Sequence, residues 1–174
     1  MAIKVISPVN LDEGHLVKLD ANGQIDATAK VLGGQVVKLV KDAAAQYGGE
    51  AHIEASKGTD AVATAAPYGF CYKASVAQPE NNLYIPFNQY KAPLNRQSVV
   101  LTKGFRAEFW NDGTGAVFAD DVINAATGTA LYINANGLLT TTAGSADTVG
   151  ALVVATVEAA PADANGVLVA KIEL

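Results

Sequence analysis

The chain repeats a pattern that is built around an Asn-Gly pair. Residues 14–29 (GHLVKLDANGQIDATA) align without a gap on residues 128–143 (GTALYINANGLLTTTA), with six identical positions. Asn-Gly between short apolar stretches is the strongest local signal for a β-hairpin, because both central residues of a type I′ turn need positive φ. The repeat therefore predicts two related hairpins, with turns at Asn22-Gly23 and Asn136-Gly137. It contains no residue set that is suited to bond-making chemistry.

Further stretches of strand-forming residues extend this prediction to a mainly β chain. We expect strands over 1–8, 16–19, 24–28, 35–41, 69–76, 98–110 (as one or two strands) and 166–174. A short helix over 41–47 is an open alternative for that stretch, because its helix-forming residues stop at Gly48-Gly49.

A second internal sequence repeat supports the expectation of two units. Residues 69–76 (GFCYKASV) match residues 150–157 (GALVVATV) in part. Repetition of a small β unit predicts two related modules, either barrel-like (including a tulip-like form) or a sandwich, that share one core. We place the first module at 1–125, with long inserts over 30–68 and 78–97. The second, compact module is expected at 126–174.

Charge and cysteine content restrict the partners. The chain has 12 Lys and Arg against 17 Asp and Glu, a net charge of -5, which argues against nucleic acid as a partner. Cys71 is the only cysteine, so no intrachain disulfide can form, and this fits synthesis in a reducing cytoplasm. No apolar run approaches the roughly 20 residues that span a bilayer, and residues 1–8 lack a secretory pattern. We expect no membrane partner.

Candidate catalytic side chains are few. His15 is expected at a strand start and His52 in an insert, and neither belongs to a recognisable nucleophile motif, so we interpret both as surface or chance histidines. Cys71 lies between two aromatic residues, which favours a small buried side chain over a reactive thiol.

The acidic residues do not form a metal-binding pattern either. Residues 20–23 (DANG) resemble the opening of a calcium loop, but the glycine stands at the fourth position rather than the sixth. Asp120 and Asp121 are better explained by a turn or a helix start. We therefore expect no enzymatic activity, no cofactor and no metal.

Two apolar segments could contact a partner or fold under their own domain. One is the loop over 81–93 (NNLYIPFNQYKAP), and the other is the N-terminal arm, residues 1–8. Aromatic residues are enriched in protein interfaces, and an apolar chain end is costly to leave in water. The candidate partner-binding residues are Ile3, Val5, Ile6, Tyr84, Phe87 and Tyr90.

The compact module carries a resemblance to a known family. Residues 128–137 (GTALYINANG), 148–155 (TVGALVVA) and 166–174 (GVLVAKIEL) resemble the small β domains of tailed-phage capsid decoration, or cement, proteins. Those proteins often show a Gly-led strand, a residue-Gly hairpin, a Thr/Ala-rich strand, a Val-Gly-x-Ala strand and a terminal strand. The resemblance covers about 50 residues well, the N-terminal copy less well, and the long inserts not at all.

The resemblance implies a structural virion protein on the outer capsid surface, which clamps neighbouring subunits of the major capsid protein. It implies a homo-oligomer, with a trimer favoured and a dimer as the alternative. The N-terminal arm would add a strand to a sheet edge of a capsid subunit. The alternative functions are those of a head-fibre base, a tail protein, a hydrolase with a dispersed site, or a carbohydrate-binding β-sandwich. The last would use Tyr84, Tyr90 or Trp110 as stacking platforms.

Overall fold

The computed structural model describes residues 3–5, 14–17, 31–41, 51–72, 97–111 and 115–174, and in them the chain is mainly β, as predicted. Within these ranges, one short helix, α1 (Val62–Ala65), and two 3-10 turns, Asp120–Val122 and Val149–Ala151, join the strands. The strands are β1 (Ile3–Val5), β2 (Gly14–Val17), β3 (Val36–Lys41), β4 (Ala51–Ala55), β5 (Pro67–Cys71), β6 (Gln97–Leu101), β7 (Arg106–Trp110), β8 (Ala130–Ile133), β9 (Leu139–Thr140), β10 (Ala155–Ala159) and β11 (Val167–Ile172).

Five strands close into a barrel in the order β2-β4-β3-β5-β6. The β2–β4 pair is parallel, with Leu16 opposite His52, and the other pairs are antiparallel. β3 and β4 lie inside the segment 30–68 that was predicted as an insert, so the described part of this segment contributes two strands to the barrel wall. The predicted helix over 41–47 lies outside the described residues except for Lys41, which ends β3.

Neighbouring residues on three barrel strands face two different cores. The pairs are Val36-Val37 on β3, Phe70-Cys71 on β5 and Val100-Leu101 on β6, and all six residues are buried. Val37, Cys71 and Val100 join Ile53 and Val31 in one apolar cluster, whereas Val36, Phe70 and Leu101 join a larger one. Because successive side chains on a strand point to opposite faces, strands buried on both faces read as continuous apolar runs.

The other six strands form one sheet in the order β1-β7-β11-β10-β8-β9. Burial alternates along β11, where Leu168, Ala170 and Ile172 are fully buried and the residues between them are not. The same alternation on β7 buries Ala107 and Phe109. One face of this sheet therefore covers the larger apolar cluster, which it shares with the barrel. The rings of Phe70 and Phe109 meet there, with centroids 5.2 Å apart.

The two sheets divide the chain differently from the predicted boundary between residues 125 and 126. β1 and β7 precede this boundary, yet they pair with each other and β7 pairs with β11. The barrel strands fall within 14–101, and the sheet strands come from 3–5 and 106–172.

The hairpin prediction is confirmed for the second copy, although its turn type is wrong. β8 and β9 pair antiparallel around residues 134–138, and Gly137 has a φ of 79°. Asn136 is not among the described non-glycine residues with positive φ, so the turn is not type I′. The Gly137 amide donates to the Asn134 carbonyl at 2.9 Å, which closes a type I turn with a glycine bulge. The other turn, at Asn22-Gly23, lies outside the described residues.

The second sequence repeat, of residues 69–76 and 150–157, is not a structural repeat. Gly69 lies within β5, whereas its counterpart Gly150 lies in the 3-10 turn that precedes β10. The two glycines are both sites of close backbone approach, but the strands they touch belong to different sheets.

Backbone contacts between glycines join the barrel to the sheet, and we call this contact the glycine joint (Gly58 and Gly150 with residues 133–134). The Gly58 amide donates to the Asn134 carbonyl at 2.8 Å, and the Gly150 amide donates to the Gly58 carbonyl at 3.0 Å. A Cβ on Gly58 would lie 2.7 Å from the carbonyl carbon of Asn134, and one on Gly150 would lie 2.8 Å from the Gly58 oxygen. Only glycine fits at these two positions.

The chain on either side of the joint continues the same contact. The Val149 amide donates to the Asp60 carbonyl at 2.8 Å, and the Val62 amide donates to the Asp147 carbonyl at 3.1 Å. Asp147 has a φ of 64°, an uncommon conformation for a non-glycine residue. The loop after β4 therefore docks on the loop before β10 through main-chain hydrogen bonds.

We expect Gly58→Ala to lower the free energy of unfolding by about 3 kcal/mol, because the new methyl group meets backbone atoms that cannot rotate away. The matched control is Gly115→Ala, whose methyl would meet, among the described residues, only the flexible side chain of Leu32, at 3.2 Å. Urea unfolding followed by circular dichroism measures both variants. Equal stabilities for the two variants would contradict the close contact at Gly58.

Candidate functional site

His52 lies in the interior and not on the surface, so the prediction of a surface histidine is wrong. It stands on β4 with 5% of its surface exposed. Its Nε2 lies 2.9 Å from Oε1 of Glu54, two residues further along the strand and on the same face. Its Nδ1 is buried without a hydrogen-bond partner.

Ser56 is the other buried polar group near this strand, and its Oγ also has no hydrogen-bond partner. Since both Ser56 Oγ and His52 Nδ1 are unpartnered, they do not bond to each other. A serine nucleophile needs a base within about 3.2 Å, held in turn by a third group. The two residues do not form such a pair, and Ser56 instead uses its backbone amide to bond the Val36 carbonyl at 2.8 Å.

Asp121 organises a cluster of threonines at the end of β9. Its 3-10 turn, Asp120–Val122, agrees with the prediction of a turn or a helix start at this pair. Oδ2 of Asp121 accepts hydrogen bonds from the hydroxyl groups of Thr140, Thr141 and Thr142 at 2.5, 2.9 and 3.2 Å, and from the Thr141 amide at 3.0 Å. Burial disfavours the charged carboxylate, but these hydrogen bonds outweigh it and hold the pKa of Asp121 below its usual value.

Asp60 has an equivalent role beside the glycine joint. Its Oδ2 accepts from Nζ of Lys38 at 2.9 Å and from the Lys57 amide at 3.0 Å. Burial opposes ionisation here too, while the hydrogen bonds and the positive charges of Lys38 and Lys57 hold the pKa of Asp60 below its usual value. Lys38 belongs to β3, so this ion pair ties the loop after β4 to the barrel wall.

The remaining chemistry-bearing residues do not assemble into a site within the described ranges. Cys71 is fully buried, as predicted. In the part of the chain that the structure describes, no group of three or more His, Cys, Asp and Glu side chains could hold a metal ion. The same residues include no helix with the length and apolar character to cross a membrane.

The predicted partner-binding residues fall in different places. Ile3 is fully buried in the core of its own chain. Val5 lies on β1 opposite Ala107 of β7. The other four, Ile6, Tyr84, Phe87 and Tyr90, lie outside the described residues.

The two edges of the six-stranded sheet differ. The β9 edge is covered by the segment 117–119, because the Leu139 amide donates to the Val117 carbonyl at 2.8 Å and the Ala119 amide donates to the Leu139 carbonyl at 2.8 Å. At the opposite edge, β1 pairs with β7, and no other strand of the described residues pairs with it. An open strand edge offers backbone donors and acceptors to a further strand.

Asn111 holds the covering segment in place, a role that no sequence motif predicted. Its Oδ1 accepts from the amides of Val117 and Phe118 at 2.7 and 3.2 Å. Its Nδ2 donates to the carbonyls of Phe118 and Ala164 at 3.4 and 3.3 Å. The one side chain thus connects the end of β7 to the segment that closes the β9 edge.

The chain matches no known family model, no curated protein and no solved structure. The geometry of the sheet and its edges defines the candidate site.

We expect acid to destabilise the fold through Asp121. Its pKa is lower in the folded chain than the ordinary value of 3.8, so its contribution is present above about pH 4 and is lost as the pH falls through the folded pKa. Asp121→Asn should cost about 1 kcal/mol at pH 7, a value reduced because water screens the partly exposed carboxylate. Thermal unfolding between pH 2.5 and 7 should show a smaller pH dependence for this variant, and an unchanged profile would refute the assignment.

We expect His52→Phe to leave the free energy of unfolding within about 1 kcal/mol of the parent, because removal of an unpartnered buried nitrogen offsets the loss of the hydrogen bond to the partly exposed Glu54. Ile53→Ala, at the adjacent fully buried position, should cost about 2–5 kcal/mol. Chemical denaturation of the two variants gives the comparison. A large loss for His52→Phe would mean that the histidine makes a further essential contact.

Proposed function

We propose that this chain is a structural virion protein that binds the outer surface of a tailed-phage capsid and stabilises contacts between subunits of the major capsid protein. One observation carries the proposal. Of the segments that resemble capsid decoration proteins, residues 128–137 contain β8, residues 166–174 contain β11, and residues 148–155 end at the first residue of β10. These three strands belong to a single sheet, and the far edge of that sheet, β1, has no partner strand among the described residues.

The N-terminal arm takes a different form from the one expected from sequence. Residues 3–5 pair with β7, and Ile3 fills the core of its own chain, so this part of the arm does not leave to join a capsid subunit. In the proposal, a strand of the capsid protein adds instead to the outer side of β1. Strand addition satisfies backbone groups on both proteins and requires little from the side chains.

A single such contact would be weak. β1 has only three residues, and each net hydrogen bond contributes roughly 0.5–1.5 kcal/mol. A symmetric oligomer binds several capsid subunits at once, so several weak contacts together give a high overall affinity. The resemblance favours a trimer for this purpose, with a dimer as the alternative.

The net charge of -5 supports a place on the outer protein surface, away from the packaged DNA. Asp121, Asp60, Asn111 and His52 all have structural partners, which supports a mechanical role over a catalytic one. In this proposal the protein is made in the host cytoplasm and acts as part of the virion, without a cofactor.

The direct test is to mix the purified chain with expanded, undecorated capsids and to image the particles by electron cryomicroscopy. We expect ordered density at one lattice position, with a capsid strand beside residues 3–5. Unexpanded capsids are the control for recognition of the mature lattice. Absence of binding, or labelling of tails or fibres in intact virions, would overturn the proposal.

A variant that lacks residues 1–8 tests the sheet edge. Because Ile3 leaves the core in this variant, circular dichroism must first show that the sheet is retained. A folded variant should bind capsids at least about tenfold more weakly, since the remaining edge strand, β7, lies at a different place. Undiminished binding would reject β1 as the contact.

A further inference from the structure

Two turns of the described chain have nearly the same sequence. Residues 134–137 (NANG) join β8 to β9, and residues 163–166 (DANG) lie between β10 and β11. In each turn the glycine amide donates to the carbonyl of the first turn residue, at 2.9 Å for Gly137 and 3.1 Å for Gly166. Each turn therefore presents an Ala-Asn-Gly sequence in a closed form, and the two differ in what surrounds them.

An Asn-Gly pair loses ammonia without an enzyme. Once the glycine amide nitrogen has given its proton to a solvent base, its lone pair attacks Cγ of the asparagine side chain. The new N–Cγ bond closes a five-membered imide, the Cγ–Nδ2 bond breaks, and Nδ2 takes up a proton and leaves as ammonia. Water then opens the imide to aspartate or isoaspartate, with no change of oxidation state. Glycine favours the attack because it has no Cβ to obstruct it.

The 134–137 turn is held against the barrel. The carbonyl of Asn134 accepts from the amide of Gly137 and also, at 2.8 Å, from the amide of Gly58 in the glycine joint. Gly137 packs so closely that a Cβ on it would lie 2.9 Å from the carbonyl oxygen of Ser56. The Gly137 amide must leave its hydrogen bond before it can lose its proton, so we expect it to react only when the contact between barrel and sheet opens.

The 163–166 turn is much more open. Residues 162–165 are all exposed, and they include Asn165. The Asn165 amide donates to Oδ1 of Asp163 at 2.8 Å, and the Gly166 amide donates to the carbonyl of the same residue at 3.1 Å. Both bonds are local to the turn, and exposed loop tips of this kind open at low cost in free energy.

We infer that Asn165 is a site of spontaneous deamidation in the folded chain, and that the glycine joint protects Asn136 from the same reaction. One bond from outside the turn opposes the opening at Asn165. Nδ2 of Asn111 donates to the Ala164 carbonyl at 3.3 Å, which is long for such a bond. The inference does not depend on the proposed function.

The products change the surface at the start of β11. Either product places a carboxylate two residues from Asp163, so the exposed turn gains a second negative charge. Isoaspartate also carries the main chain through the former side chain, which adds one carbon atom to the backbone just before Val167, the first residue of β11.

The test compares the folded full chain with the same chain in denaturing urea, both kept in mildly alkaline buffer and sampled over time. Proteolysis after glutamate separates the two sites, because Glu158 lies between them, and mass spectrometry follows the gain in mass from amide to acid. In urea we expect rates within about twofold of each other, since both sites read Ala-Asn-Gly. In the folded chain we expect Asn165 to react at least about tenfold faster than Asn136.

Asn134→Asp is the matched control, because it makes the two turns identical in sequence and keeps a side-chain oxygen as the acceptor. The rate at Asn136 should stay low in this variant, since the glycine joint is retained. The ratio of the two rates in the parent chain tests the inference without any substitution. No reaction at Asn165 in the folded parent, equal rates at the two sites there, or a rise at Asn136 to the rate of Asn165 in a folded Asn134→Asp variant would overturn the inference.

Discussion

The glycine joint is the constraint on which the rest of the structure depends. Two loops from different sheets approach until their backbones exchange hydrogen bonds, at 2.8 Å from Gly58 to Asn134 and 3.0 Å from Gly150 to Gly58. Side chains could not achieve this approach, because any Cβ at Gly58 or Gly150 would overlap main-chain atoms. Together with the shared apolar core at Phe70 and Phe109, the joint fixes the barrel against the sheet. The β1 edge therefore has one orientation relative to the barrel.

Several polar side chains in this molecule stabilise loops through hydrogen bonds. Asp121 satisfies three threonine hydroxyls, Asp60 connects the loop after β4 to Lys38, and Asn111 pins the segment that covers the β9 edge. Each is held by several hydrogen bonds and is not left available for a substrate. This use of polar groups supports the proposal that the protein acts through surfaces that bind other proteins.

Local patterns in the sequence predicted the elements better than their arrangement. The Asn136-Gly137 hairpin, the terminal strand and the burial of Cys71 follow from short-range chemistry, and all three are present. The turn type was wrong because Oδ1 of Asn134 accepts from the amides of Asn136 and Leu138, which stabilises a longer turn.

Barrel closure could not be predicted, since it pairs β2 with β4 across more than thirty residues without a local signal. The partners of His52, Gly58 and Asn111 are likewise set by the tertiary structure.

Native-state hydrogen exchange of the joint amides tests most directly whether barrel and sheet form one cooperative body. The amides of Gly58, Val149 and Gly150 donate across the joint, and their opening should require the same free energy as the amides of β11 in the sheet core. We expect these amides to exchange only through global unfolding. Exchange of the three amides at a much lower free energy, while β11 stays protected, would show that the barrel moves independently of the sheet and would contradict it.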